Sequence, residues 1–111
     1  MHFVAVSARR AAENEARFRE ANEKIAAEAV ELVYPDQPSP YLCECEDEAC
    51  TTIVRLTMDE YENVRRGARQ FLLARGHKDD GDRVLAEHER FTVVEKTGEE
   101  GKHVEALDPR S

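Results

Sequence analysis

The sequence predicts an α+β fold: a long N-terminal helix followed by a small antiparallel sheet with one short helix and a cysteine-bearing loop. Three observations predict it. Residues 7–33 are rich in Ala, Glu, Arg and Lys and contain no Gly or Pro. After them come short apolar runs, Thr52–Leu56, Gln70–Ala74 and Phe91–Lys96, punctuated by turn residues. All three cysteines of the chain fall within eight residues, CECEDEAC, at 43–50. With 111 residues there is room for one domain, 1–111.

In the helix, Ala11, Phe18, Ile25 and Leu32 recur every seven residues, with Ala21 and Ala29 beside that line and Val30 just off it. This is a narrow apolar stripe. Asn14 and Glu28 stand where a coiled coil would place its second apolar column, so docking on the chain's own sheet is the expectation, ahead of a homodimer through this N-terminal helix. Three prolines within 34–40 (YPDQPSP) end the helix and read as a stiff linker.

The core is expected over 41–96. Tyr41–Cys45 is extended and Thr52–Leu56 is a strand. Thr57-Met58-Asp59-Glu60 is a capping-box pattern that opens a short helix, with Tyr61 and Val64 facing inward and Gly67 as a stop. Gln70–Ala74 is a strand and Arg75-Gly76-His77 a turn. Lys78–Asp82 is a polar loop whose Asp79, Asp80 and Asp82 lack calcium-loop spacing and read as an exposed turn. Arg83–His88 and Phe91–Lys96 form two strands around a bend at Glu89-Arg90. Beyond Thr97 a polar tail is expected, 97–111, with at most one helical turn at Val104–Leu107 and fraying at the end.

Charge narrows the function. The net charge of −8 argues against a nucleic-acid-binding regulator, because phosphate binding needs a positive surface. The balance is uneven: 34–54 holds five acids and no Lys or Arg, whereas 55–78 holds six basic and three acidic residues. Arg55, Arg65, Arg66, Arg69, Arg75 and Lys78 therefore form a basic segment, read as a solvated helix face before an anion or partner patch. No segment is apolar and long enough to span a bilayer, and MHFVAVSARR lacks the layout of a secretory signal. A cytoplasmic setting is the expectation.

In a reducing compartment, clustered thiols read as metal ligands or redox groups sooner than as disulfides. Side chains two apart in an extended segment share a face, so Cys43 and Cys45 point together and Glu44 points out. Residues 46–49 then make a loop that returns Cys50 to the same point. Three thiolates and one imidazole make a closed tetrahedral set suited to structural zinc. The fourth ligand is sought among His2, His77, His88 and His103, with a carboxylate or water as the other option. His77, behind Gly76 at a strand end, is favoured, and His88 is next. Two readings compete with metal: three small buried apolar residues, and a redox pair. Glu44, Glu46, Asp47 and Glu48 oppose thiolate formation, which makes a cation the natural charge partner. These carboxylates otherwise read as solubilising.

The stretch from Tyr41 to Lys96, through CEC…C, LTMDEYENVR, RQFLLARGH and RFTVVEK, resembles small uncharacterised proteins encoded in GC-rich bacterial genomes, as does NEARFREANEKI in the helix. Their pattern is Cys-x-Cys-x4-Cys, then Leu-Thr with a Glu-Tyr helix, an Arg-x-Phe and a Gly-His. Gln70 departs from it, standing where a second Arg is expected. The resemblance implies that Cys43, Cys45, Cys50 and His77 belong together, and it carries no activity, substrate or partner.

The expectation for function is a zinc-stapled module, not an enzyme, that meets a protein partner through the helix or the basic segment. No HExxH, phosphate-cradling glycine loop or nucleophile elbow occurs, so no catalytic residue is expected. A zinc–thiolate redox switch is the alternative.

Overall fold

Helix-forming composition over 8–32 yields α1 (Ala8–Leu32), one continuous helix. The computed structural model describes residues 7–32 and 37–110, so His2, Val33 and the Tyr34–Asp36 part of the linker lie outside the described residues. α1 docks on its own domain, along part of the expected stripe and a polar row beside it. Ala11 and Ala29 of the stripe are buried and the half-buried Ile25 packs against the core with Ala26, but Phe18 is only half-buried and the fully buried row runs Ala12, Glu15, Arg19 and Asn22. The spacing of three and four residues is that of a helix face, yet three of its members are polar. They are tolerated because each is paired. Arg19 donates to the carbonyls of Ala68 (2.7 Å) and Val104 (2.8 Å), and its guanidinium lies 4.2 Å from the Phe71 ring centre.

The linker does not remain a linker to Pro40. Ser39 and Pro40 already belong to β1 (Ser39–Leu42), which pairs antiparallel with β2 (Ile53–Leu56). Alternation in β2 buries Val54 and Leu56 and exposes Ile53 and Arg55. Thr57 caps α2 (Met58–Val64) with the full reciprocal box: its hydroxyl accepts from the Glu60 amide, and the Glu60 carboxylate accepts from the Thr57 amide at 2.8 Å. The helix stops at Arg65, two residues before Gly67.

Two sheets form where one was expected. β3 (Gln70–Leu73), β4 (Arg83–Glu87) and β5 (Thr92–Glu95) make a separate antiparallel sheet in the order β3-β5-β4, with a bulge between Val84 and Ala86. The core between the sheets and helices gathers Val54, Leu56, Val64, Phe71, Leu72, Phe91 and Val94. Tyr41 and Tyr61 stack there with ring centres 4.5 Å apart.

The polar tail is also corrected. α3 (Gly98–Ala106) is a nine-residue helix packed on α1, with Val104 fully buried. Gly101 sits against the Lys96 carbonyl, where a Cβ would approach to 2.6 Å, so only glycine permits this packing. Beyond α3, Asp108 is buried against Arg65, and Arg110 reaches both Glu23 and Glu62. Arg65 is thus enclosed by Glu23 and Asp108 rather than part of an exposed basic patch. No helix among the described residues is long and apolar enough to cross a membrane.

Candidate metal centre

The two sheets meet at the cysteine segment. Cys43 and Cys45 leave β1, Cys50 precedes β2, and His77 follows β3. The four ligand atoms lie within 4.8 Å of one another, and their arrangement could hold a metal ion. His77 Nδ1 is 3.6 Å from the Cys43 sulfur and 3.7 Å from the Cys50 sulfur. One ring nitrogen therefore faces two sulfurs at once, an arrangement that could hold a cation.

Local structure explains the convergence. Thr52 accepts the Cys43 amide and Asp47 accepts the Cys50 amide at 3.0 Å, which folds 43–50 back on itself. The Asp47 carboxylate caps the Ala49 amide in the same bend. Gly76 adopts φ 84°, a left-handed conformation, and the His77 amide bonds back to the Ala74 carbonyl, so the turn swings the imidazole toward the sulfurs. Cys43 and Cys45 are buried and Cys50 is half-buried; Cys45 and Cys50 line an open cleft with Thr51, His77 and Lys78.

The sulfurs carry backbone donors. The Ala74 amide donates to Cys43 Sγ at 3.2 Å, and the Asp47 amide bonds the Cys45 sulfur. The Cys45 thiol is pushed well up, first by its hydrogen bond with Cys43 and then by burial, against the pull of the Asp47 amide.

Glu44 does not point to solvent. It is fully buried on the opposite face, where its carboxylate accepts from the Leu72 amide (3.0 Å) and from Asn22 Nδ2 (2.8 Å). Burial raises its pKa to about 7, against those two hydrogen bonds and the nearby Arg19 and Arg65. Asn22 also brackets Leu42, accepting its amide and donating to its carbonyl, both at 2.8 Å. Asn14 donates to the Glu46 carbonyl at 2.9 Å. The polar seam of α1 thus holds the backbone on both sides of the cysteines.

A second ionic group lies beneath the loop. Lys96, fully buried, meets Glu15 (2.7 Å), Asp82 (2.9 Å), Asp79 (3.3 Å) and Glu100 (3.6 Å). Asp79 also accepts the Glu46 amide at 3.0 Å, joining this group to the cysteine segment. Asp82 is therefore interior, while Asp80 is exposed as expected for a turn. One ammonium cannot balance four carboxylates, and Glu15 is pushed up to about 10 by burial and by its hydrogen bond with Glu100. Glu15, Glu46 and Glu100 are close enough to share a cation, but Lys96 already supplies one.

Of the four histidines considered, His77 alone joins the cysteines among the described residues. His88 stacks on Phe91 with ring centres 4.3 Å apart, and His103 lies on α3. Glu44, Asn22, Asn14 and Ala74 support the site; from sequence Glu44 was read as solvent-facing and Asn14 only as a gap in the helix stripe, and Asn22 and Ala74 were not singled out. The one legible signal was the polar spacing Glu15-Arg19-Asn22 on a helix otherwise built of good formers. No family of known proteins, no curated protein and no solved structure matches this chain, so the likeness to the bacterial proteins gains no support from relatives.

Proposed function

We propose that Cys43, Cys45, Cys50 and His77 bind one zinc ion as a closed structural Cys3His site, in a small protein-interaction or regulatory module. The observation that carries this reading is the spacing of the imidazole nitrogen from two sulfurs. Tetrahedral zinc, with Zn–S near 2.3 Å and Zn–N near 2.0–2.1 Å, sets the S···N edge at roughly 3.6 Å. The distances here are 3.6 and 3.7 Å. Hard cations such as magnesium and calcium prefer oxygen ligands, whereas this donor set is sulfur and nitrogen.

Such an ion would join the β1–β2 sheet to the end of β3, linking elements that otherwise meet through few hydrogen bonds. Four protein ligands leave no open position for a substrate, which favours a structural role over a catalytic one. Native mass spectrometry tests the reading. One zinc per chain is expected for the unaltered protein and none for Cys45→Ser; a metal-free unaltered chain, or full zinc retention by the variant, contradicts it.

A thiol switch is the second reading, favoured by the half-exposure of Cys50 beside the open cleft. Zinc release by peroxide at concentrations that leave ordinary structural sites loaded would support it, and retention would count against it.

A further inference from the structure

Among the described residues, three of the four outer strand edges are closed to some degree by the chain's own side chains. In β1, Pro40 has no amide to offer and both backbone groups of Leu42 are taken by Asn22. The Leu72 amide of β3 is taken by the Glu44 carboxylate and its carbonyl by the Glu44 amide, while the following Ala74 amide goes to the Cys43 sulfur. In β2, the Arg90 guanidinium covers the Arg55 carbonyl. Strand edges are commonly blunted in this way against unwanted pairing.

β4 is different. It is the longest strand, it lies at the outside of the order β3-β5-β4, and its outer backbone groups have no hydrogen-bond partner among the described residues. Val84 is 41% exposed and Leu85 39% exposed, adjacent in the chain on that edge. Leu85 and Ala86 continue into a groove of about 240 Å³ that also touches Val64, Phe91 and Val93.

We propose that β4 pairs antiparallel with β4 of a second copy of this chain, joining two three-stranded sheets into one of six strands. The strand is complementary to its own reverse. RVLAE begins with Arg83 and ends with Glu87, so antiparallel pairing sets the cationic end of each copy beside the anionic end of the other, with Leu85 opposite Leu85 at the centre and Val84 opposite Ala86. Arg83 is free to reach across: its contact with Glu95 is long, at 3.7 Å, and its side chain is 71% exposed. Parallel pairing would set like charges side by side at both ends, which disfavours it. The bulge between Val84 and Ala86 confines the regular ladder to a short stretch. The expected dissociation constant is therefore micromolar, ~10–100 μM.

The test is sedimentation velocity on the full chain from ~5 to ~500 μM, with four variants. The unaltered chain is expected to pass from monomer to dimer over that range. Leu85→Lys sets like charges at the centre and is expected to leave a monomer throughout, with an unchanged melting temperature. Glu87→Arg alone weakens association roughly tenfold, and Arg83→Glu combined with Glu87→Arg restores it, because the swapped ends are again opposite in sign. A chain monomeric at every concentration overturns the proposal. So does a dimer that Leu85→Lys leaves intact; its loss on Phe18→Ala would move the contact to α1. The proposal does not depend on bound metal, and zinc content read on the same samples keeps the two questions apart.

Discussion

The sulfur of Cys43 accepts the backbone amide of Ala74 at 3.2 Å. A residue of the proposed metal site is therefore also the partner of the residue that continues β3. Its neighbour Glu44 does the same two residues earlier, accepting the Leu72 amide at 3.0 Å. Consecutive side chains on opposite faces of one extended segment satisfy alternate amides of one strand, so strand edge and cysteine segment are built together.

Glu44→Gln tests that coupling. A carboxylate accepts from Leu72 and Asn22 at once; an amide has one acceptor and turns its NH2 toward one of the two donors. The expected loss is about 1–3 kcal/mol in urea unfolding, with zinc stoichiometry preserved. A variant as stable as the unaltered chain would mean that the buried carboxylate is not needed as a double acceptor.

Metal removal should be felt by the whole domain. The four ligands come from the β1–β2 connection and from the turn after β3, so stripping the ion frees the junction of the two sheets. Chelation is expected to lower the melting temperature by about 10 °C or more, and added zinc to restore it. An unchanged melting curve after verified metal removal would exclude a stapling role.

The Lys96 cluster predicts a pH dependence. Glu15 has a folded pKa near 10, against an ordinary value of 4.5, so the native state holds a proton that the unfolded chain has released. Its contribution to stability is complete below about pH 4.5 and declines as pH rises toward 10. Glu15→Gln resembles the protonated acid and removes this term. Between pH 7 and 9 the unaltered chain is expected to lose about 2–3 kcal/mol more than the variant. Lys96→Met, which leaves Asp82 buried without its cation, is expected to cost about 3 kcal/mol at pH 7.

Two local changes probe elements away from the cysteines. Thr57→Ala removes the hydroxyl that caps α2 and should cost about 1 kcal/mol in thermal or urea unfolding. Gly101→Ala forces a Cβ to within 2.6 Å of the Lys96 carbonyl and should cost about 1–3 kcal/mol by separating α3 from the strand end.

Element positions were readable where local rules govern. The capping box at Thr57, the alternation of Ile53–Leu56 and the break at Gly76 each express a short-range preference, and each appears in the structure. The convergence of Cys43, Cys45, Cys50 and His77 was readable because metal chemistry restricts residue type and spacing together. The buried face of α1 was not. Apolar periodicity finds only part of it, Ala11, Ala29 and the half-buried Ile25, and misses the buried Glu15, Arg19 and Asn22, whose partners lie far along the chain. Glu44 and Asp82 were read as solvent-facing for the same reason: only a distant amide or ammonium makes their burial tolerable. The nine-residue α3 was hidden by Gly98 and Gly101, poor helix formers: Gly98 takes a left-handed φ of 59° at the helix start, and Gly101 is held by its close packing on the Lys96 carbonyl.

Zinc K-edge X-ray absorption on the purified full chain tests the central claim most directly, because it reads the ligand shell itself. The account predicts three sulfurs near 2.3 Å and one nitrogen near 2.0 Å around a stoichiometric ion. A shell of oxygen and nitrogen without sulfur, or fewer than three sulfurs, would contradict it.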